Sequence, residues 1–166
     1  MISMTNHSSV KYFNKKMCRM CNGQCCTNSA GLYIPEDFKE PITSELLTSL
    51  LNSGKISIDW WEGDFRIRNK VYKSPYFLRP RHKGEPAIKG SWGGTCINYT
   101  DGKGCSLSKK DRPFQCRKLV PNFNFETNEQ NCTYKPKDKA GKKDCISKWC
   151  KYQKELSDVV NNYVEK

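Results

Sequence analysis

The sequence predicts a small, irregular α+β domain with short antiparallel strands and a C-terminal helix. Three observations predict it. Between residues 55 and 82, apolar and polar side chains alternate, which is the period of a strand. From 144 to 166, Ile146, Trp149, Cys150, Leu156, Val159, Val160 and Tyr163 fall roughly on one face of a helix. Only 36% of the 166 residues are apolar and the mean hydropathy is -0.80, so the core is thin and something else must staple it.

At this length one domain is expected, and it is placed at residues 17–166, after a polar, flexible N-terminus at 1–16. Leu32-Tyr33-Ile34 reads as a short buried strand and Pro35 to Phe38 as a helix start, which Pro41 interrupts. Thr43 is a plausible N-cap for a helix over Ser44–Leu51, and Asn52-Ser53-Gly54 ends it. Gly63-Asp64 and Asn69-Lys70 divide the alternating region into a small antiparallel hairpin or meander. Residues 84–95 are rich in Gly and Pro and read as a loop, and 135–143 as a charged linker or exposed loop.

The most informative stretch is Cys18-Arg-Met-Cys21-Asn-Gly-Gln-Cys25-Cys26. A two-residue gap lets the sulfurs of Cys18 and Cys21 turn to one point, the geometry that soft metals use. A second set follows at Cys96, Cys105 and Cys116. Asp101-Gly102 is a tight-turn signal that would bring Cys96 and Cys105 together across a hairpin. Phe114 to Arg117 reads as the opening of a helix that carries Cys116. Cys132 sits alone in a polar stretch, and Cys145 and Cys150 sit on the last helix. Adjacent cysteines beside a Cys-x-x-Cys suit metal ligation better than disulfides, although a disulfide scaffold in an oxidising compartment is the alternative.

The joint pattern, Cys18-x2-Cys21-x3-Cys25-Cys26, then Cys96…Gly104-Cys105…Arg112-Pro113-x2-Cys116, resembles the CxxCxxxCC cysteine-cluster family of zinc- or iron-chelating proteins. The resemblance covers about residues 17–132 and makes Cys132 the match for a late family cysteine. It implies a metal centre with ligands drawn from Cys18, Cys21, Cys25, Cys26, Cys96, Cys105, Cys116 and Cys132. The flagellin lysine N-methylase carries a similar pattern within a larger protein, but this chain has no S-adenosylmethionine glycine motif. Eight thiols could make two four-ligand sites or one site with spares. Cys25 and Cys26 are adjacent, so their side chains diverge and one metal is awkward for both. An all-sulfur set suits Zn2+ or an iron–sulfur cluster, with 4Fe-4S favoured by the tight clustering and the family's association with iron. Arg112 and Arg117 are expected behind the sulfurs, where guanidinium groups offset thiolate charge. His7 and His82 read as surface residues.

Lys and Arg number 29 against 17 Asp and Glu, giving +12 and favouring polyanions. A nucleic-acid or acidic protein partner is therefore expected at Arg66, Arg68, Lys70, Lys73, Arg79 and Arg81, which interleave with Trp60, Trp61, Tyr72, Tyr76 and Phe77. The competing reading makes those aromatics the buried face of strands and the cations their wet face. Met1 to Lys16 has no apolar run of secretory length and no segment is apolar enough to span a bilayer, so a cytoplasmic setting is expected. HExxH, GxxxxGK[ST], GxGxxG and GxSxG are all missing, which leaves no catalytic constellation to name. Two functions follow as expectations. One is a cysteine-ligated metal centre supporting redox or modification chemistry on a macromolecular partner. The other is a non-catalytic, zinc-stapled module that binds nucleic acid or an acidic partner.

Overall fold

The computed structural model describes residues 24–91, 93–124 and 129–165, with side chains for all of these except 24–25 and 121–131. The expected flexible segment 1–16 lies outside them. The fold is α+β, with helices and, among the described residues, four two-stranded antiparallel ladders.

Helix α1 (Gln24–Asn28) leads into an extended run and a 3-10 turn at Pro35–Asp37. The run over 32–34 makes a backbone bond from Tyr33 N–H to the Leu78 carbonyl at 3.0 Å but joins no ladder, so the expected strand is an extended segment laid on the sheet. Helix α2 (Ser44–Asn52) begins where Thr43 Oγ1 accepts from Leu46 N–H at 3.1 Å. Its buried residues, Leu47 and Leu51, are four apart and so share one face. Gly54, at φ +77°, closes it by donating to the Leu51 carbonyl.

Strands β1 (Ile56–Trp60), β2 (Asp64–Ile67), β3 (Lys70–Lys73) and β4 (Tyr76–Pro80) form one long, interrupted ribbon. β1 pairs with β4, from Ile56↔Pro80 to Trp60↔Tyr76, and β2 pairs with β3, from Asp64↔Lys73 to Ile67↔Lys70. Between the ladders, residues 61–63 oppose only 74–75. That one-residue excess is a bulge, and Gly63 and Ser74 take the positive φ values it requires. Beyond β1's free edge, Ile58 exchanges backbone bonds with Ala87 and Lys89, so the Gly/Pro-rich loop covers that edge.

β5 (Tyr99–Thr100) and β6 (Gly104–Cys105) form a small hairpin at the Asp101-Gly102 turn. Helix α3 (Phe114–Lys118) follows, then the hairpin of β7 (Val120–Asn124) and β8 (Glu129–Thr133).

The predicted C-terminal helix exists but is broken in two. Helix α4 (Lys142–Trp149) and helix α5 (Gln153–Asn162) flank a 3-10 turn at Cys150–Tyr152. The break comes where Gln153 turns to β4. Its Oε1 accepts from Tyr76 N–H and its Nε2 donates to the Tyr76 carbonyl, both at 2.8 Å. Trp149, fully buried, donates Nε1–H to the Tyr33 carbonyl at 2.8 Å and ties the helices to the extended run. Leu156 and Val159 of α5 join Leu47, Leu51, Ile58 and Leu78 in one core. Burial of each such side chain is worth about 1.5–3 kcal/mol. Among the described residues, no helix is long and apolar enough to cross a membrane.

Candidate metal centre

Three backbone segments meet at Cys96, one of them the end of α1. On one edge Cys96 N–H donates to the Cys26 carbonyl at 2.7 Å and Gly94 N–H to the Asn28 carbonyl at 3.0 Å. On the other edge His82 bridges Cys96, and Ile97 and Lys83 exchange bonds with Arg81 and Thr95. The end of the first cysteine cluster is thereby fixed beside the start of the second. Cys96 is buried and Cys26 is half-buried.

Cys116 arrives from α3, which a network from residues 31–37 anchors. Asp37 Oδ2 accepts from Ile34 N–H at 3.0 Å and from Phe114 N–H, the first residue of α3, at 2.9 Å. Asp37 Oδ1 pairs with Arg117 Nη2 at 2.7 Å. Buried Gln115 accepts from Leu32 N–H at 2.9 Å and donates to the Ala140 carbonyl at 3.0 Å. The Cys116 sulfur then rests on Gly31, where a Cβ would come within 2.3 Å of it. The missing side chain is the space that the sulfur uses.

Burial raises the Tyr33 phenol pKa most, followed by the charges of Cys116, Cys96, Asp37 and Cys105. Cys96, Cys105 and Cys116 are therefore all within electrostatic reach of one phenol. Cys105 is not opposite Cys96 as the turn suggested; its cross-strand partner is Tyr99. The turn is tight, and residues 97–98 carry the chain past it before the ladder begins.

Cys18 and Cys21 lie outside the described residues, and Cys25 is described only by its backbone in α1. Cys132 is half-buried on β8, opposite Pro121. No disulfide joins any two of Cys26, Cys96, Cys105, Cys116, Cys132, Cys145 and Cys150. Among the described residues, no three His, Cys, Asp or Glu side chains converge as a metal-ion group. Cys145 and Cys150 are core residues. Burial pushes their thiols up to about 12 and about 11, and each sulfur faces a helix-side carbonyl, of Ala140 and Ile146. They are protonated at neutral pH and packed as small apolar groups.

Arg117 spends its charge on Asp37 and a bond to the Arg112 carbonyl, and Arg112 is buried with Nε donating to the Leu107 carbonyl at 3.1 Å. The two brace the turn before α3.

The expectation for His82 is corrected: it is 3% exposed, not a surface residue. Its Nε2 accepts from Ala30 N–H at 3.0 Å, which leaves the proton on Nδ1, facing Ser91 Oγ at 3.2 Å and Glu85 Oε2 at 3.3 Å. Ser91, His82 and Glu85 have the composition of a hydrolytic triad but not its connectivity. Serine and carboxylate meet the same ring nitrogen, and a backbone N–H occupies the other. Burial, then Arg79, lowers the His82 pKa below its ordinary value.

The polyanion set is also corrected. Arg79 is 1% exposed and ion-paired to Asp59, at 2.7 Å, and to Glu85. Arg81 donates to the Leu51 and Ile56 carbonyls and lies near Glu165. Both serve the fold, because β4 is covered on both faces. Arg66, Arg68, Lys70 and Lys73 are exposed. The register places Arg66 and Lys73 on one face of the ribbon and Lys70 on the other, with Tyr72 and Phe65.

Sequence reasoning missed Gly31, Tyr33, Asp37, Gln115 and His82. Only the family-like Arg-Pro-x-x-Cys spacing pointed to this region, and it named neither the glycine nor the carboxylate. Comparison with protein-family models, curated proteins and solved structures finds no match.

Proposed function

We propose that this chain is a metal-binding protein whose centre is a set of cysteine thiolates contributed by 18–26 and by 96–116. The observation that carries the reading is the Cys26–Cys96 backbone bond at 2.7 Å, which holds the two cysteine-bearing segments side by side. The electrostatic reach of Cys96, Cys105 and Cys116 to Tyr33, and the glycine cradle under Cys116, support it. The donor set is all thiol, which suits zinc or an iron–sulfur cluster. The described thiols alone do not complete a four-ligand set. The centre therefore needs sulfurs from Cys18, Cys21 or Cys25. Cys132 is a reserve ligand on a separate hairpin. When bound, an iron–sulfur cluster would supply electron transfer, and zinc would supply a closed structural staple. Of the two, 4Fe-4S is the favoured occupant, because four thiols crowd into nine residues. The resemblance to the CxxCxxxCC family belongs to the same proposal.

Elemental analysis and absorption spectra of anaerobically purified protein test it. Iron with a shoulder near 400 nm, or zinc at one or more per chain, is the expected result. Cys18→Ser should lose metal and stability together, because a metal held by folded ligands contributes to folding. Cys150→Ser should keep its metal. A wild-type protein without metal, or a Cys18→Ser protein with its full complement, overturns the proposal.

A further inference from the structure

We propose that the ledge of Trp61 and Tyr72, with Lys70, Lys142 and Lys143, is a docking surface for single-stranded nucleic acid. The bulge after β1 sets Trp61 edge-to-face on Phe65, with ring centroids 5.6 Å apart. Register places Tyr72 directly opposite Phe65, so both rings belong to one face of the ribbon. The start of α4 packs over that face. Lys142 and Lys143 hold their ammonium groups 5.7 and 5.6 Å from the Trp61 ring centre, and Lys70 lies 5.0 Å from that of Tyr72.

Two like charges share one indole, and none of the three lysines makes an ion pair among the described residues. Every described ion pair uses arginine or histidine instead. All three lysines are exposed, whereas Trp61 and Tyr72 are half-buried against the core. Among the described residues, no carboxylate lies within ion-pair distance of these three ammonium groups. Phosphates supply the anion, and unpaired bases supply π-faces for the rings. Bases inside a duplex are already stacked, which favours single strands. An anionic bilayer fits less well, because it asks for an apolar anchor. Among the described residues, the exposed large apolar side chains are Val71, which the register puts on the opposite face of the ribbon, and Val164 after α5. The surface does not depend on the cysteine centre, so the two proposals fail separately.

The test is fluorescence anisotropy of the full chain with a labelled 20-nucleotide oligo-dT, from 50 to 300 mM salt. Three phosphate contacts predict a log K against log salt slope of about -2. Two double variants carry the comparison, Lys142→Glu with Lys143→Glu and Arg66→Glu with Lys73→Glu. Each lowers the net charge from +12 by four, since each substitution removes two units. The first should weaken binding at least tenfold and flatten the slope by about 1.4. The second, on the opposite face, should change affinity less than about threefold. If the glutamate pair at 142–143 fails to fold by circular dichroism, Lys142→Gln with Lys143→Gln replaces it. Equal losses in both doubles would reduce the effect to net charge and overturn the proposal. So would absence of binding at 50 mM salt, equal affinity for the matching duplex, or a 142–143 effect seen only on phosphatidylserine vesicles.

Discussion

Gly31→Ala isolates the contact that seats Cys116. Gly31 has an ordinary negative-side backbone, so alanine brings no conformational strain and its whole effect is the added methyl group. That methyl would lie 2.3 Å from the Cys116 sulfur, where ordinary contact begins at 3.4 Å, so something must move by about 1 Å. The sulfur cannot yield cheaply. Its helix is pinned through Gln115 to Leu32 and Ala140, and through Phe114 N–H and Arg117 to Asp37. Overpacking of this kind costs about 1–3 kcal/mol. The assay is urea unfolding of four proteins: wild type, Gly31→Ala, Cys116→Ala and the double variant. In the wild-type background the substitution should cost that full amount. In the Cys116→Ala background, with the sulfur gone, it should cost under about 0.5 kcal/mol. Because any metal lost through residue 116 is lost from both members of the second pair, the comparison cancels it. Equal costs in the two backgrounds would refute the packing of this sulfur on residue 31.

Arg79→Met should destabilise the fold by about 3–5 kcal/mol in thermal or urea unfolding, because it strands the buried Asp59 and Glu85 carboxylates. Its effect on nucleic-acid affinity, measured on whatever fraction folds, should be slight. For His82, the folded pKa lies below the ordinary 6.5, so the unfolded chain binds the proton more readily. Its stabilising contribution is therefore complete above about pH 6.5 and is lost as pH falls through the folded-state value. Urea midpoints between pH 7.5 and 5 should drop more steeply for wild type than for His82→Gln; parallel profiles would contradict this. Native Cys145 and Cys150, with thiols near 12 and 11, should resist iodoacetamide at pH 8 and react fully in urea, as read by mass spectrometry.

Much of the local structure is legible in the residues. Thr43 caps α2, Gly54 ends it, and Asp101-Gly102 turns the β5–β6 hairpin, because each depends on neighbours within a few positions. The ribbon of β1–β4 follows from alternation, but its bulge does not. Nothing in Trp61 to Gly63 announces that three residues will oppose two. The break between α4 and α5 was equally hidden. The apolar spacing runs through it, and the deciding bonds join Gln153 to Tyr76, 77 residues away.

The same division applies to the candidate centre. The cysteine spacing singles out the candidate ligands. It does not reveal that Asp37 would cap a helix 77 residues later or that His82 would be buried beneath the 26–30 segment. Arg79 shows the limit most clearly. In the chain it is one cation among several on an alternating strand, and in the fold it is neutralised by two carboxylates inside the protein.

By itself, then, the sequence determined the α+β class, the caps and turns, and the thiol character of the candidate ligands. These rest on side-chain chemistry and on backbone preferences that act over a few residues. Only the tertiary structure decided which sulfurs are core, which cations stay exposed, and which glycine makes room for Cys116. Those outcomes depend on burial and on partners brought from distant positions, and no local preference encodes them.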